Sequence, residues 1–279
     1  MNLLNPTLPP NTIRAQRLKA VVLDWAGTTV DHGSVAPART LQKLFAQLGI
    51  TLSESETRRD MGLPKQDHIR AILALPRVRD AWQGVRGRAP NEADAAEAYQ
   101  QFIPLQLSCL AEYSVIIPGV PEAVHALRQR GLKIGSTTGY TRAILDLLVE
   151  QSTQSGYVPD CSIAPEDVGA GRPHPFMIYE NAVRLQIYPM SALVKIGDTP
   201  ADIQEGLNAG AWSIGVAGTG NGIGLSLEDF QQLSTSERQS RLAAARAELQ
   251  HAGAHYVIDT LAEIHTVLDN IDARLQSAG

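Results

Sequence analysis

Short apolar runs that end in polar residues recur along the chain and predict buried β-strands. The first run, residues 20–23 (AVVL), ends abruptly at Asp24 and is followed by Gly27. Small and β-favouring apolar residues bounded by a glycine turn are typical of a strand in a parallel sheet. Comparable runs predict five further strands, at 132–137, 160–164, 193–197, 212–216 and 255–258. Helical segments separate the later strands, and this alternation predicts an α/β fold with a doubly wound, mostly parallel sheet.

The stretch after the first strand has helical patterning instead. Apolar residues at 41, 44, 45 and 48 recur at helical spacing and are followed by Gly49, which predicts a helix end. A capping box formed by Ser53 and Glu56 predicts a second helix, and Pro64 predicts the start of a third that runs to about residue 75. Residues 84–91 are predicted to form a loop and 92–113 a helix.

These patterns predict two domains and a leader. We expect a small helical cap domain, residues 33–114, inserted into an α/β core domain formed by 20–32 and 115–279. Residues 1–19 are interrupted by prolines and lack the apolar region of a signal peptide, so we expect a loose N-terminal extension.

Composition narrows the class of protein. Hydrophobic residues make up 44% and charged residues 19% of the 279, as in ordinary soluble globular proteins. The net charge is −5 and no block of Lys or Arg occurs, which argues against nucleic acid and anionic membranes as partners. No apolar segment approaches the length of a membrane span. Cys109 and Cys161 follow no metal-ligand spacing, so we expect free thiols and a cytoplasmic location.

The residues that follow the predicted strands carry the candidate chemistry. Asp24 follows the first strand, Thr138 the second and Asp198 the fourth, with Asp202 four residues further on. Right-handed crossovers bring such strand ends to one edge of the sheet. Carboxylates gathered there repel one another unless a cation lies between them, and Mg²⁺ with oxygen ligands is the natural candidate. Thr138, the neighbouring amides and the Arg172 guanidinium suit phosphate oxygens. Each residue alone also has a structural explanation, as a helix cap, a turn residue or a surface charge.

This arrangement resembles the haloacid dehalogenase-like superfamily of aspartate-nucleophile phosphotransferases. The corresponding motifs are residues 24–29, 137–138, and 197–198 with Asp202. Phosphatases of that superfamily carry a second aspartate two residues after the nucleophile, which protonates the leaving oxygen. This chain has Ala26 there, whose backbone carbonyl can still bind a metal but which cannot act as a general acid. Either the enzyme is impaired, or its leaving group needs no proton from this position.

Lys65 offers a reason for the missing acid. It lies in the first turn of a predicted cap helix, where the helix dipole disfavours an ammonium group. A lysine with a lowered pKa can condense with a carbonyl. In a β-carbonyl phosphonate the resulting iminium is the electron sink that cleavage of a C–P bond requires, and the leaving group is then an enamine carbon. The alternative is an exposed lysine on a cap helix without a catalytic role.

Five stretches together resemble the phosphonoacetaldehyde hydrolase family, and the resemblance covers essentially the whole chain after the leader. They are 24–31 (DWAGTTVD), 61–68 (MGLPKQDH), 135–142 (GSTTGYTR), 171–173 (GRP) and 197–199 (GDT). The resemblance implies hydrolysis of the C–P bond of phosphonoacetaldehyde to acetaldehyde and phosphate. It also implies a homodimer formed through cap helices.

The resemblance further implies a role for each site residue. Lys65 forms a Schiff base with the aldehyde, and Asp24 attacks phosphorus to give an aspartyl phosphate. The remaining assignments fall into three groups: Mg²⁺ held by Asp24, the Ala26 carbonyl and Asp198 with Asp202 in support; phosphonate binding by Thr138 and Arg172 with Gly62 and Thr28; and an aldehyde pocket formed by Met61, His68 and Tyr140. His68 is also a candidate proton relay at Lys65.

Two other functions stay open at this stage. A Mg²⁺-dependent phosphatase or phosphomutase of the same superfamily explains Asp24 and Asp198 but leaves Ala26 unexplained and Lys65 without a role. A catalytically inactive binding module accepts Ala26 but gives no reason for the carboxylates. The glycine-rich residues 220–224 lack the spacing of a nucleotide-binding fingerprint, and we predict a flexible loop there.

Overall fold

Six parallel strands form the centre of the molecule in a computed structural model that describes residues 15–277. The strands are β1 (Ala20–Leu23), β2 (Lys133–Thr137), β3 (Cys161–Ile163), β4 (Leu193–Gly197), β5 (Trp212–Val216) and β6 (Tyr256–Ile258). Their order is β3-β2-β1-β4-β5-β6, and each neighbouring pair is parallel. All six predicted strands are present, and the predicted α/β class with a parallel sheet is confirmed.

The strand order changes direction beside β1. From β1 the chain moves outward to β2 and β3, and then returns to β4 on the other side of β1 before moving outward again. In register, Leu23 lies opposite Ser136 of β2 and Ile196 of β4. The residues that follow these three strands therefore meet at one edge, where open α/β sheets bind their ligands.

Twelve α-helices are found among the described residues. Five of them, all within residues 33–114, are α1 (Val35–Gln47), α2 (Glu54–Arg58), α3 (Lys65–Ala74), α4 (Pro76–Arg86) and α5 (Glu92–Tyr113). The other seven are α6 (Val120–Gln129), α7 (Arg142–Gln154), α8 (Phe176–Leu185), α9 (Pro200–Asn208), α10 (Leu227–Gln232), α11 (Thr235–His251) and α12 (Ile264–Ser277). None of the helices in residues 15–277 has the length and apolar character needed to cross a membrane.

The predicted start of the 84–91 loop is wrong. Residues 84–86 belong to α4, which ends at Gly87 in a left-handed conformation with φ of 72°. A glycine inside a helix costs about 1 kcal/mol relative to alanine, but Val78 and Trp82 of the same helix are buried. Tertiary packing of these two side chains therefore outweighs the local signal of Gly84.

Two separate hydrophobic clusters support the proposed division into domains. One contains the sheet and the helices around it, including Val22, Ile134 and Ile196. The other lies among α1–α5 and includes Phe45 and Phe102. The two connections between the clusters run side by side: Asp31 N–H donates to the Val115 carbonyl at 3.1 Å, and Ile117 N–H donates to the Thr29 carbonyl at 3.0 Å. We keep 33–114 as the proposed cap and 20–32 with 115–279 as the proposed core.

The end of the predicted N-terminal extension packs against the core. Ala15 and Leu18 are buried, and Leu18 N–H donates to Asp272 Oδ1 at 2.7 Å. The expectation of a loose segment is therefore wrong for residues 15–19, because two apolar side chains and a backbone hydrogen bond fix them. Residues 1–14 lie outside the described part of the chain.

Candidate active site

Three carboxylates lie together at the carboxyl edge of the sheet. One oxygen each from Asp24, Asp198 and Asp202 lies within 4.8 Å of the others, and all three residues are buried. Burial raises the pKa of Asp24 and raises the pKa of Asp198 still further, and Asp24 and Asp202 add to the rise at Asp198. Hard oxygen donors that repel one another in this way fit a divalent cation. Asp24, Asp198 and the nearby Ala26 carbonyl are the groups that would hold it.

The loop after β1 approaches Asp198 closely. Gly27 has a φ of 82°, and a Cβ atom at this position would lie 2.2 Å from Asp198 Oδ2. Thr28 Oγ1 donates to Asp198 Oδ1 at 3.4 Å, and Asn221 N–H donates to Asp198 Oδ2 at 2.6 Å. Glycine at position 27 is therefore required both for the backbone conformation and for the position of this carboxylate.

Arg172 is buried beside the candidate nucleophile. Its Nη2 lies 2.6 Å from Asp24 Oδ1 and 3.0 Å from Asp202 Oδ1, and its Nε lies 3.0 Å from Glu205 Oε2. Nη2 also donates to Thr137 Oγ1 at 2.9 Å. The interpretation of Arg172 as a surface charge is therefore wrong, since its guanidinium contacts three buried carboxylates.

The Asp202 carboxylate forms ion pairs with two buried cations and hydrogen bonds with the residue that caps its own helix. Its Oδ2 accepts hydrogen bonds from the backbone and side chain of Thr199 at the start of α9, while Oδ1 lies 2.8 Å from Lys195 Nζ. Burial opposes ionisation, but Arg172 and Lys195 hold the pKa of Asp202 below its usual value. The carboxylate is thus ionised and supports the site through these two cations.

Lys195 and Glu205 were not identified from the sequence. Both are fully buried; Lys195 Nζ donates to Thr137 Oγ1 at 2.8 Å and lies 3.4 Å from Glu205 Oε2. Two signals were available: Lys195 interrupts the apolar run of β4, and Glu205 follows Asp202 by three residues on one helix. They form an ionic layer below Arg172, which fixes its guanidinium.

Lys65 faces this cluster from the cap. It is the first residue of α3 and is only 5% exposed, with Nζ 3.7 Å from Met61 Sδ and 5.4 Å from the centre of the Tyr140 ring. Burial lowers the pKa of Lys65 to about 8, Arg172 acts in the same direction, and Asp24 opposes both. The exposed-lysine alternative is wrong. The expected direction of the pKa shift is found, but burial rather than the helix dipole is its main cause.

His68 lies one turn further along α3 and is fully buried. Its Nε2 lies 2.9 Å from the Thr57 carbonyl, which can only accept, so Nε2 carries the proton. Nδ1 is then a buried acceptor without a hydrogen-bond partner among residues 15–277. Burial and the neighbouring Lys65 lower the pKa of His68 to about 3, so the ring is neutral.

Thr138 and Tyr140 complete the walls of the site. Thr138 Oγ1 accepts the Tyr140 N–H at 3.0 Å, and both side chains are buried. Burial, with Asp31 and Asp24 nearby, raises the pKa of Tyr140 well above its usual value, so its phenol stays protonated. The cavity between cap and core has a volume of about 20 Å³, room for about one water molecule. We therefore expect the cap to move when a substrate enters.

Glycines at the cap–core contact permit this close approach. Gly62 has a φ of 91°, and a Cβ there would lie 2.2 Å from Thr199 Oγ1. A Cβ on Gly139 would lie 2.7 Å from the Leu63 carbonyl. Arg172 Nη1 also reaches the Gly62 carbonyl at 3.4 Å. The cap is closed over the core in this structure.

Residues 220–224 are not a free loop. Asn221 is 7% exposed and donates its N–H to Asp198, and the adjacent Thr219 Oγ1 donates to the Gly27 carbonyl at 2.7 Å. The predicted lack of regular structure is found, but hydrogen bonds to the site hold the segment in place. The prediction of flexibility from glycine content is therefore not supported, because these glycines allow close packing.

Comparisons with known proteins agree with this architecture. Residues 18–210 match the family model of the haloacid dehalogenase-like hydrolases. The chain is 42% identical over 256 residues to a phosphonoacetaldehyde hydrolase from Bacillus cereus (strain B4264), covering 92% of this chain and 97% of that protein. It is 44% identical over 258 residues to one from Nitratidesulfovibrio vulgaris, covering 92% of each.

A solved structure with a similar fold points to the same family. A phosphonoacetaldehyde hydrolase-like protein from Oleispira antarctica matches with a TM-score of 0.94 and 39% sequence identity, covering 98% of this chain and 99% of that one. The family and the fold predicted from the motifs are thereby confirmed. With three carboxylates, a buried arginine and a buried lysine converging on one cavity, this chain belongs to the phosphonoacetaldehyde hydrolase family of the haloacid dehalogenase-like hydrolases.

Proposed function

We propose that this chain hydrolyses the C–P bond of phosphonoacetaldehyde to acetaldehyde and phosphate, through an imine at Lys65 and an aspartyl phosphate at Asp24. The observation that carries the proposal is the placement of these two groups. A buried lysine with a pKa of about 8 and a buried carboxylate line one cavity, in a chain that has Ala26 where an acid would protonate an alkoxide. The relatives named above support the same activity.

Imine formation is the first step. The neutral amine of Lys65 adds to the aldehyde carbon, and one proton moves from nitrogen to the former aldehyde oxygen. A second proton, taken up from solvent, lets this oxygen leave as water and leaves the protonated imine. The free Nδ1 of neutral His68 and a protonated Tyr140 support proposed roles as relay and as pocket wall. Met61 Sδ contacts the amine and limits its positions.

Cleavage of the C–P bond is the second step. An Asp24 oxygen attacks phosphorus, and the electron pair of the C–P bond moves into the iminium to give an enamine. No oxygen leaves, so no acid is required at position 26. Arg172, Thr138, Thr28 and the Gly62 backbone are proposed to hold the phosphoryl oxygens.

Arg172 has to change partners when substrate binds. Its Nη2 now contacts Asp24, and this contact is proposed to be exchanged for a phosphoryl oxygen. The Nε contact to Glu205 does not lie on that path and can hold the side chain during the exchange. A planar guanidinium with two usable edges suits such an exchange.

Release of the two products completes the turnover. The enamine carbon takes a proton, and hydrolysis of the resulting imine returns Lys65 and acetaldehyde. Water attacks the aspartyl phosphate and returns Asp24 and phosphate. Since the closed cavity is small, cap closure also excludes bulk water from the intermediates.

Mg²⁺ is the proposed metal, held by Asp24, the Ala26 carbonyl and Asp198, with Asp202 in support. When bound, it would neutralise charge on the group that is transferred. Haloacid dehalogenase-like hydrolases typically use a divalent cation, and the carboxylate cluster is consistent with one.

A cytoplasmic location and a homodimeric assembly are two further proposals. Free Cys109 and Cys161 support a reducing, cytoplasmic setting. The homodimer implied by the family resemblance is supported only by exposed apolar side chains on cap helices, Val85 and Leu107. Light scattering after size exclusion tests it: a mass twice that of the chain is expected, and the mass of one chain would contradict it.

Phosphate release from two substrates tests the function. We expect release from phosphonoacetaldehyde and far slower release from a phosphate ester such as p-nitrophenyl phosphate, each abolished by EDTA. The matched variants are Lys65→Arg, which keeps the charge but forms no imine, and Lys43→Arg on the exposed face of α1. Lys65→Arg should lose C–P cleavage with an unchanged melting temperature. Preferential turnover of the ester, or cleavage of the phosphonate by Lys65→Arg, would support the phosphatase alternative instead.

A further inference from the structure

We propose that Arg58 of the cap and residues 219–224 of the core form a latch that links cap closure to the position of Asp198. The latch is defined here as Arg58, Asn221 and the backbone of 219–224. It adds positioning residues to the proposed C–P hydrolysis and rests on that function only in requiring that the cap closes over the metal site.

Arg58 is the last residue of α2, and its guanidinium leaves the cap to reach the core. Nη1 donates to Asn221 Oδ1 at 3.0 Å and to the Gly33 carbonyl at 2.9 Å. Nη2 donates to the Gly224 carbonyl at 2.9 Å, while Nε contacts Glu54 on its own helix at 2.7 Å. The Arg58 side chain is only 12% exposed. The Arg58 guanidinium therefore connects α2, the start of the cap at Gly33 and the core segment 219–224.

Asn221 connects Arg58 to the proposed metal site through two further hydrogen bonds. Its Nδ2 returns a hydrogen bond to the Arg58 carbonyl at 3.3 Å. Its backbone N–H donates to Asp198 Oδ2 at 2.6 Å. Asn221 is therefore held by the cap through its side chain and holds Asp198 through its backbone.

The glycines of this segment make both contacts possible. A Cβ on Gly220 would lie 2.5 Å from Asp198 Cβ. Gly224 has a φ of 70°, and a Cβ there would lie 3.0 Å from Arg58 Nε. At the start of the segment, the Thr219 carbonyl accepts the N–H of Gly33 at 2.7 Å, beside the linker into the cap. The segment thus fits between α2 and Asp198, with no room for a side chain at Gly220 and a tight, left-handed position at Gly224.

A coupling between two equilibria follows from this chain of contacts. When the cap opens, Arg58 loses its acceptors in the core and Asn221 loses the partner of its side chain. Asp198 then depends on a less restrained N–H donor. By linkage, a cation bound at Asp198 favours closure to the same degree that closure favours the cation.

The test measures this coupling without turnover. The Mg²⁺ dissociation constant is determined with and without inorganic phosphate, the product that the proposed site would hold between cap and core, and amide hydrogen exchange is followed in 219–224. For the intact chain we expect phosphate to tighten Mg²⁺ binding and to slow this exchange. In Arg58→Met, the tightening of Mg²⁺ binding by phosphate should be about tenfold smaller than in the intact chain. Amide hydrogen exchange in 219–224 should be faster. Arg58→Lys should fall between the two, since one ammonium cannot reproduce the fork.

The control is Arg59→Met, the adjacent and exposed arginine, which should behave like the unchanged chain. The latch is overturned if Arg58→Met keeps the full phosphate effect and the slow exchange. If Arg58→Met does not fold, Asn221→Ala takes its place, since it removes the contact to Arg58 and keeps the backbone donor; full coupling in that variant equally overturns the latch. If the unchanged chain fails to cleave phosphonoacetaldehyde, the proposed function fails, and the latch is still judged by these two measurements.

Discussion

At the scale of single residues, the burial of Lys65 has a direct consequence for pH dependence. Below its pKa of about 8 the side chain is an ammonium group and cannot add to an aldehyde; above that pH it is a neutral amine. We therefore expect kcat/KM for phosphonoacetaldehyde to rise with pH and to level off above about pH 8. A steady-state profile from about pH 6 to about pH 10 measures it. A profile that still rises near the ordinary lysine pKa would contradict a lowered value.

The buried ionic layer under Arg172 predicts that substitution of Lys195, which lies away from the proposed substrate, lowers the stability of the fold strongly. Lys195→Met leaves Asp202 and Glu205 with less compensation in a dry environment. Removal of one partner of a buried ion pair costs about 3–5 kcal/mol. Urea denaturation should show a loss of this order, whereas Lys43→Met on the surface of α1 should change stability little. A small loss at Lys195 would mean that the layer contributes little to the stability of the fold.

At the scale of elements, the contact between the cap and α9 depends on Gly62. Gly62→Ala places a methyl group 2.2 Å from Thr199 Oγ1 in a left-handed backbone, so the cap cannot close fully. A displacement of about 1 Å lowers activity about a hundredfold. Steady-state kinetics should show this loss in kcat/KM.

Gly87→Ala is the matched control for that change. Gly87 also has a left-handed φ, of 72°, but no atom lies within 4 Å of a Cβ there. Both substitutions bear a similar backbone cost of roughly 1–2 kcal/mol, and only Gly62→Ala should impair catalysis. Equal activity of the two variants would show that close approach at residue 62 is not required.

The elements themselves were predictable where local and tertiary signals agree. β1 and β4 are apolar runs that end in the residues of the site, and Ser53 with Glu56 forms the predicted capping box. The start of the 84–91 loop was wrong because packing of Trp82 extends α4 past Gly84. Glycine content alone does not distinguish a flexible loop from close packing, which is why 220–224 was misinterpreted.

At the scale of the whole molecule, the closed site has an excess of negative charge. Four buried carboxylates (Asp24, Asp198, Asp202 and Glu205) face two buried cations, Arg172 and Lys195, and Lys65 adds a third positive charge only when its amine is protonated. When Lys65 is a neutral amine, one divalent cation offsets the difference of two charges. We expect EDTA to abolish phosphate release, and Mg²⁺ both to restore it and to raise the melting temperature, because it binds only the folded chain.

The matched variant for the metal prediction is Asp198→Asn. It should lose most of the Mg²⁺-dependent rise in melting temperature, whereas Asp67→Asn on the outer face of α3 should keep it. Activity that is unaffected by EDTA, or a rise in melting temperature that survives Asp198→Asn, would contradict a cation at this cluster.

The sequence located the site because the order of strands in a parallel sheet gathers strand ends without knowledge of distances. Asp24 and Asp198 could be paired for this reason alone. The partners of Arg172 could not, since they depend on how deeply the side chain is buried between the end of β2 and α9. The same limit applies to Lys65: its place at a helix start was visible, but the burial that lowers its pKa exists only when cap and core meet.

Borohydride trapping tests the central claim of imine catalysis most directly. The chain is treated with phosphonoacetaldehyde and borohydride, and the modified peptide is mapped by mass spectrometry, with Lys65→Arg as the control. We expect a reduced two-carbon adduct on Lys65, loss of activity in proportion to its formation, and no adduct in the variant. A chain that binds and turns over the substrate without an adduct on Lys65 would contradict the mechanism proposed for C–P cleavage.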